Sequence, residues 1–222
     1  GEASSTGDAE GKIIATARTN INRQEFQTAC TALTGKISQT PPMFSALKHE
    51  GKPLYEYARR GIIIERKPRN IEIYSINITH FQTPEATIDV RCSKGTYIRT
   101  LSEDIAKKIN TFAHLTALRR TETAGFTLAH AHTLPELETL DEAARDAVLL
   151  PCDVLVQHLP KIILKDKAVE MLKFGQRPQF TEPVDSTLPI RIYDSAGQFI
   201  GLAQHQTEIG RLKALRLMNT AQ

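Results

Sequence analysis

The chain has 222 residues, of which 41% are hydrophobic and 24% charged. This balance fits a globular protein with one domain and an appendage, or with two modest domains. The sequence has no run of about 18 apolar residues of the kind that spans a membrane. The three cysteines, Cys30, Cys92 and Cys152, have no Cys-x-x-Cys spacing, which argues against a disulfide framework or a zinc knuckle. We therefore expect a reducing, cytoplasmic environment.

The net charge of +3 is unevenly distributed along the chain. Residues 41–126 carry 14 basic and 9 acidic groups. Residues 127–155 carry 1 basic and 6 acidic groups, and residues 156–222 carry 9 basic and 6 acidic groups. Two basic blocks therefore flank an acidic one. Basic blocks attract phosphate backbones, although a surplus this small also fits an ordinary solvated surface.

The first clear element is a helix in "NRQEFQTACTALTG", with Asn22 as N-cap, Glu25 completing a capping box and Cys30 on the apolar stripe. "QTPPMFSALKHEGKPLYEYARRG", residues 39–61, follows it. Its paired prolines disfavour helix, so we predict a long ordered surface loop whose end forms one or two helical turns. Long loops are often functional, but a packed connector fits the spacing equally well.

Residues 71–79 and 86–92 read as strands, and the alternation in the second predicts that Cys92 is a buried, unreactive residue. The turn Ser93-Lys94-Gly95 follows. Ile98, Leu101, Ile105 and Ile109 then recur at helical spacing. This pattern predicts a helix that begins near Thr96 or Tyr97 and ends near Asn110.

Tyr97 and Arg99 lie in the first turn of that helix but off its apolar stripe. The free N–H groups of a first turn favour anions, and these two side chains suit recognition of phosphate, carboxylate or a base. The alternative is that Arg99 pairs with Glu103, four residues on, on an exposed face.

The remaining chain contains short acidic helices in "PELETL" and "DEAARDAVLL", with Asp141 as a cap. His130 and His132 share a strand face without a nearby third ligand, so we expect no metal site there. After Pro151 we predict a helix in "DKAVEMLKFGQ", a hairpin through residues 194–197 and a last strand in "GRLKALRLMN". These elements describe a small β-rich domain.

Four stretches, in order, resemble the bacterial tRNA pseudouridine synthase B family. They are "GEASSTGDAEGKI", "PPMFSALKHEGKPLYEYARRG", "CSKGTYIRTLSEDIA" and "HLTALRRTETAGF". The second resembles the RNA-gripping thumb loop of the family, and the third resembles its strand-to-helix active-site motif. The end of the chain resembles, more weakly, a small PUA-like domain.

The resemblance implies an α+β fold, with a mixed and largely antiparallel sheet, helices and a thumb loop at about residues 39–61. Residues 1–155 would form the catalytic domain and residues 156–222 a PUA-like RNA-binding domain. The implied reaction converts uridine-55 of the TΨC loop of tRNA to pseudouridine, after the base is flipped out of its stack. It implies no metal and no organic cofactor, and a monomer.

The same resemblance implies roles for individual side chains. Arg99 would pair with the nucleophilic aspartate of the family, Tyr97 would contact the target base, and Leu118 would border it. From charge we add candidates for the RNA backbone, namely Lys48, Lys52, Arg59, Arg60 and Lys94.

The chain departs from the family because Leu-Asp-Pro-x-Ala-Thr-Gly, which carries the nucleophile, does not occur in it. We therefore expect this chain to be the C-terminal portion of a longer enzyme, with Arg99 deprived of its partner and no synthase activity by itself. Two alternatives remain at this point: a non-catalytic tRNA-binding or tRNA-folding module, and a structural protein without an RNA role.

Overall fold

The computed structural model describes residues 1–185 and 187–218 and contains two compact units, Gly1–Arg119 and Arg120–Gln222. Both units combine helices with sheets, so the predicted α+β class is confirmed. The domain boundary expected after residue 155 stays a prediction. Among the described residues, no helix has the length and apolar character needed to cross a membrane.

The first unit has a short hairpin, a three-stranded sheet, a thumb region and three helices. In chain order its elements are β1 (Glu2–Ser4), β2 (Ile13–Thr16), α1 (Arg23–Ala32), β3 (Gly35–Gln39), β4 (Lys48–His49), β5 (Lys52–Pro53), α2 (Leu54–Arg59), β6 (Arg69–Gln82), β7 (Glu85–Cys92) and α3 (Ile98–Lys108).

The predicted start of α1 is confirmed. The Asn22 side chain accepts a hydrogen bond from the Glu25 N–H at 2.9 Å, and the Glu25 carboxylate accepts one from the Asn22 N–H at 2.9 Å. This reciprocal pair satisfies two N–H groups that the helix cannot use itself. Cys30 is fully buried, as expected, and its burial raises the pKa of the thiol to about 11.

The sheet of the first unit has the order β3-β6-β7, and both of its pairings are antiparallel. Its core lies between the sheet and the helices α1 and α3, which contact each other. Cys92 packs against this core, as predicted, but it is only partly buried. Cys92 is the last residue of β7, at the end of an edge strand, and its side chain is partly exposed.

The thumb region, residues 39–61, is more regular than a loop. The strands β4 and β5 form a small antiparallel hairpin, and α2 supplies the predicted helical turns at its end. The main chain ties α2 to the segment before the hairpin, because the Leu54 N–H donates to the Leu47 carbonyl at 2.7 Å and the Tyr55 N–H donates to the Ser45 carbonyl at 3.1 Å. The region is therefore an ordered platform.

The second unit combines short helices with a four-stranded sheet. Its helices and strands are β8 (Glu122–Thr123), β9 (Phe126–Thr127), α4 (Leu134–Thr139), α5 (Glu142–Ala147), β10 (Lys161–Ile163), α6 (Asp166–Lys173), β11 (Ile190–Tyr193), β12 (Phe199–Gln206) and β13 (Arg211–Leu217). The sheet order is β10-β11-β12-β13, with β10 and β11 parallel and the other pairs antiparallel.

The acidic helices, the Asp141 cap, the hairpin and the helix near residue 170 are all confirmed in this unit. The predicted last strand reached Asn219, which lies outside the described residues. A buried network anchors the sheet: Arg191 Nη1 donates to Asp153 Oδ2 at 3.0 Å, and the Tyr193 hydroxyl donates to the same oxygen. The hydrogen bond from Tyr193, more than the arginine, lowers the pKa of Asp153 and keeps this carboxylate charged.

Candidate active site

The segment between β1 and β2 folds into a tight turn that fixes Asp8. The Ser4 hydroxyl donates to the Asp8 carbonyl at 2.6 Å. The Ser5 N–H donates to the Lys12 carbonyl at 2.9 Å, and the Lys12 N–H donates to the Ser5 hydroxyl at 3.1 Å. With both ends of the turn closed, the Asp8 carboxylate has a defined direction.

Both oxygens of the Asp8 carboxylate accept hydrogen bonds. Oδ1 accepts from the Thr6 hydroxyl at 2.5 Å and from the Glu10 N–H at 3.2 Å, while Oδ2 accepts from Arg99 Nη1 at 3.0 Å. Partial burial is the largest single influence and disfavours the charge. The bonds from Thr6 and Glu10, together with the Arg99 guanidinium, outweigh it and hold the pKa of Asp8 below its usual value.

The Arg99 guanidinium is held by two other segments of the chain, the β1–β2 turn and the start of the thumb region. Besides Asp8, Nη1 donates to the Thr6 carbonyl at 3.1 Å, and Nη2 donates to the Phe44 carbonyl at 2.6 Å. The arginine and aspartate side chains are 24% and 30% exposed, so the pair is partly shielded from water. Since Arg99 lies in the first turn of α3, this pair also joins the β1–β2 turn to the helix.

Gly7 brings the turn close to the helix. Its φ of +77° belongs to the left-handed region, and an added Cβ would lie 3.1 Å from Glu103 Oε1 and 3.4 Å from the Cβ of Arg99. The Gly7 carbonyl also accepts from the Leu115 N–H at 3.0 Å. A glycine is therefore needed where the turn packs between α3 and the segment that leads to Leu118.

Tyr97 is the residue before α3, and its main chain is held by Gln39. The Tyr97 N–H donates to Gln39 Oε1 at 2.8 Å, and Gln39 Nε2 donates to the Tyr97 carbonyl at 3.2 Å. The Tyr97 side chain is half-buried, whereas Leu118 is 65% exposed.

The predicted phosphate-contacting side chains are all exposed. Four of them lie on the thumb region and the fifth lies in the turn before α3: Lys48, Lys52, Arg59, Arg60 and Lys94. The Arg59 guanidinium lies 5.2 Å from the centre of the Tyr55 ring, an arrangement that restrains the arginine through a cation–π contact.

The alternative that Arg99 pairs with Glu103 on an exposed face is wrong, because the guanidinium is partly shielded and binds Asp8. The expectation that Arg99 lacks the nucleophilic aspartate of the family stays a prediction. Burial raises the pKa of Glu103, which disfavours the charged form that an ion pair with Arg99 would need. The reading of the sequence missed Asp8 and Gln39, and the only local signal for Asp8 was the Thr-x-Asp spacing.

The fold of this chain is shared with solved structures of other proteins. The chain is similar, with TM-scores of 0.63 and 0.61, to the structures described as "Structure of H/ACA RNP bound to a substrate RNA containing 2'-deoxyuridine" and "Crystal Structure of a Cbf5-Nop10-Gar1 Complex". The sequence identities to these two structures are 18% and 20%. The matches cover 91% and 90% of this chain, and 63% and 62% of the chains in those structures. The chain thus spans less than two thirds of those proteins, and the likeness concerns the fold.

Three family models match consecutive parts of the chain. They are the TruB family pseudouridylate synthase N-terminal domain over residues 1–98, the tRNA pseudouridylate synthase B C-terminal domain over 99–157, and the pseudouridine synthase II TruB C-terminal domain over 160–218. The tRNA pseudouridine synthase B of Neisseria meningitidis serogroup A is 70% identical over 221 residues, which cover 100% of this chain and 72% of that protein. The one of Chromobacterium violaceum is 44% identical over 224 residues, which cover 100% of this chain and 73% of that protein. The chain belongs to the TruB family of pseudouridylate synthases.

The depressed pKa of Asp8 predicts a pH-dependent contribution to stability. A carboxylate whose folded pKa is lowered stabilises the fold above its ordinary pKa and loses that contribution as the pH falls through the folded value. Asp8→Asn should therefore lower the free energy of unfolding by about 1 kcal/mol at pH 7, allowing for solvent screening. Below the folded pKa the difference from wild type should vanish.

Urea unfolding followed by the NMR signals of the buried Leu101 and Ile105 measures this change in the first unit alone. Asp104→Asn is the matched control, because the ion pair of Asp104 is with the exposed Lys107, at 2.9 Å, and the variant should change stability by less than about 0.5 kcal/mol. Equal effects of the two variants at pH 7 would contradict a special role for Asp8.

Proposed function

We propose that this chain is the part of a tRNA pseudouridine synthase that receives the target nucleotide and holds the catalytic arginine. The substrate is uridine-55 in the TΨC stem-loop of tRNA. The observation that carries the proposal is the position of Arg99, in the first turn of α3, fixed by one carboxylate and two carbonyl groups. The tRNA substrate follows from membership of the TruB family and from the printed names of its relatives.

The guanidinium has capacity for a second carboxylate. An arginine has five N–H donors, and within the described residues Arg99 uses three of them. A nucleophilic aspartate can therefore bind the same guanidinium, which favours its ionised form and fixes its direction. Asp8 does not lie in the family's nucleophile motif, and we assign it the role of holding Arg99 in place.

The nucleophile has to come from outside these 222 residues, since Leu-Asp-Pro-x-Ala-Thr-Gly does not occur among them. In the proposed reaction the uridine is flipped out of the stem-loop and attacked covalently by that aspartate. Tyr97 contacts the flipped base and Leu118 borders it. A protein carboxylate makes the covalent attack, so the proposed reaction uses no metal and no organic cofactor.

The exposed basic side chains of the thumb region, with Lys94, bind the phosphate backbone around the target. Phosphate contacts hold an RNA in register without reading its sequence. We assign the C-terminal PUA-like domain, residues 156–222, an RNA-binding role of its own. The protein acts as a monomer in the cytoplasm.

A second candidate function, a non-catalytic tRNA-binding or tRNA-folding module, needs only the exposed basic residues of the thumb region. The two functions differ in whether the complete protein, with its nucleophile, isomerises uridine.

The 222-residue chain alone should bind an unmodified TΨC stem-loop in a salt-dependent manner and release no tritium from 5-tritiated uridine. The double variant Lys48→Ala/Lys52→Ala should weaken binding and reduce the salt slope by roughly 1.5, because each lost phosphate contact removes about 0.7–0.9 from it. Lys108→Ala, at the opposite end of α3 from Tyr97, is the control and should bind as wild type. Measurable tritium release would show that no outside aspartate is required.

In the complete synthase, Arg99→Ala should reduce the rate of tritium release by about 100-fold or more, because the nucleophile loses the charge that orients it. Arg99→Lys should restore little of the rate. The lysine ammonium lacks the planar, forked donors with which a guanidinium can bind Asp8 and a second carboxylate together. Arg91→Ala, an exposed arginine on β7, is the control. Near-normal turnover of Arg99→Ala would exclude the proposed role, and a complete wild-type protein that binds tRNA without turnover would favour the non-catalytic module.

A further inference from the structure

Gln39, the last residue of β3, makes an uncommon pair of side-chain hydrogen bonds. Its Oε1 accepts from the Tyr97 N–H at 2.8 Å, and its Nε2 donates to the Tyr97 carbonyl at 3.2 Å. The residue is only 2% exposed. One buried amide thus satisfies both main-chain polar groups of a residue 58 positions away, as a neighbouring strand would do.

The clamped residue is the point at which α3 begins. Tyr97 is the N-cap, with an extended backbone at φ −99° and ψ 108°, and its own side chain makes no capping bond. Its carbonyl also accepts the first helical bond, from the Leu101 N–H at 3.0 Å. The side chain of Gln39 therefore sets where the first turn of α3 lies relative to β3.

Arg99 follows Tyr97 by two residues in that first turn. The segment that starts at Gln39 touches the helix start a second time, because the Phe44 carbonyl accepts from Arg99 Nη2 at 2.6 Å. Between these two contacts, Pro41 and Pro42 restrict the backbone. Residues 39–44 thus hold Tyr97 and Arg99 from one side, while Thr6 and Asp8 hold Arg99 from the other.

We propose that Gln39 is a positioning residue for catalysis: by clamping the main chain of Tyr97 it fixes the first turn of α3, and with it the direction of the Arg99 guanidinium toward the nucleophile. This inference rests on the proposed function of Arg99. Gln39 itself touches neither the substrate nor the reacting atoms. The competing explanation is that Gln39 only satisfies buried main-chain groups and contributes to stability alone.

The first test is Gln39→Met in the complete synthase. Methionine fills a similar volume but has no amide, so the Tyr97 N–H and carbonyl lose their partner. A shift of the catalytic group by about 1 Å is enough to reduce a rate by about 100-fold, and we expect kcat for tritium release to fall at least tenfold. KM for tRNA should stay within about twofold, because the exposed basic residues that bind phosphate are unchanged.

Thr111→Val is the matched control in the same unit. Thr111 is 8% exposed, and its hydroxyl donates to the Arg18 carbonyl at 2.7 Å, so this variant also removes a buried hydrogen bond. It should lower stability without changing kcat. Gln39→Asn keeps the amide on a side chain shorter by one methylene, so it should weaken both bonds to the Tyr97 main chain and also lower kcat; it serves if Gln39→Met fails to fold.

The second test uses the 222-residue chain and needs no activity. If Gln39 fixes Arg99, then in Gln39→Met the guanidinium moves away from Asp8, and the pKa of Asp8, followed by carboxyl-carbon NMR, rises toward its ordinary value. In Thr111→Val that pKa should match wild type. An unchanged Asp8 pKa together with a kcat loss no larger than that of Thr111→Val would overturn the inference. Failure of the wild-type complete synthase to release tritium would instead overturn the proposed function, and the Asp8 measurement would still decide the role of Gln39.

Discussion

The interaction between Asp8 and Arg99 is the one on which the rest of the first unit depends. It connects the β1–β2 turn to the start of α3, with Nη1 of the arginine 3.0 Å from the carboxylate. A partly buried guanidinium is unfavourable unless its donors are used, and here two carbonyl groups accept from it besides Asp8. The interactions of Arg99 therefore join three chain segments and give the guanidinium a defined direction.

The local elements could be predicted from the sequence, and the site only in part. The capping box at Asn22, the strands near residues 75 and 90, and the helix that carries Arg99 all follow from patterns within about 15 residues. Asp8 and Gln39 could not be found this way, because their partners lie 91 and 58 residues away and no periodicity encodes such pairings. The resemblance to a family indicated a role for Arg99, and the structure showed that Asp8 binds it.

The basic residues of the first unit fall into two groups with different physical tasks. The basic residues of the thumb region are exposed. Exposure suits contacts with phosphates, because binding releases the counterions of the phosphates into water. Arg99 is shielded and surrounded by fixed acceptors, which strengthens its interaction with a carboxylate because less water competes.

The most direct test of this account is a double-mutant cycle of Asp8→Ala and Arg99→Ala in the 222-residue chain, read from urea unfolding of the first unit. Residues in one hydrogen-bonded ion pair show coupling free energies of about 0.5–3 kcal/mol, and we expect a value near 1 kcal/mol at pH 7. The coupling should disappear at a pH below the folded pKa of Asp8. Strict additivity at pH 7, within about 0.3 kcal/mol, would contradict the claim that Asp8 holds Arg99.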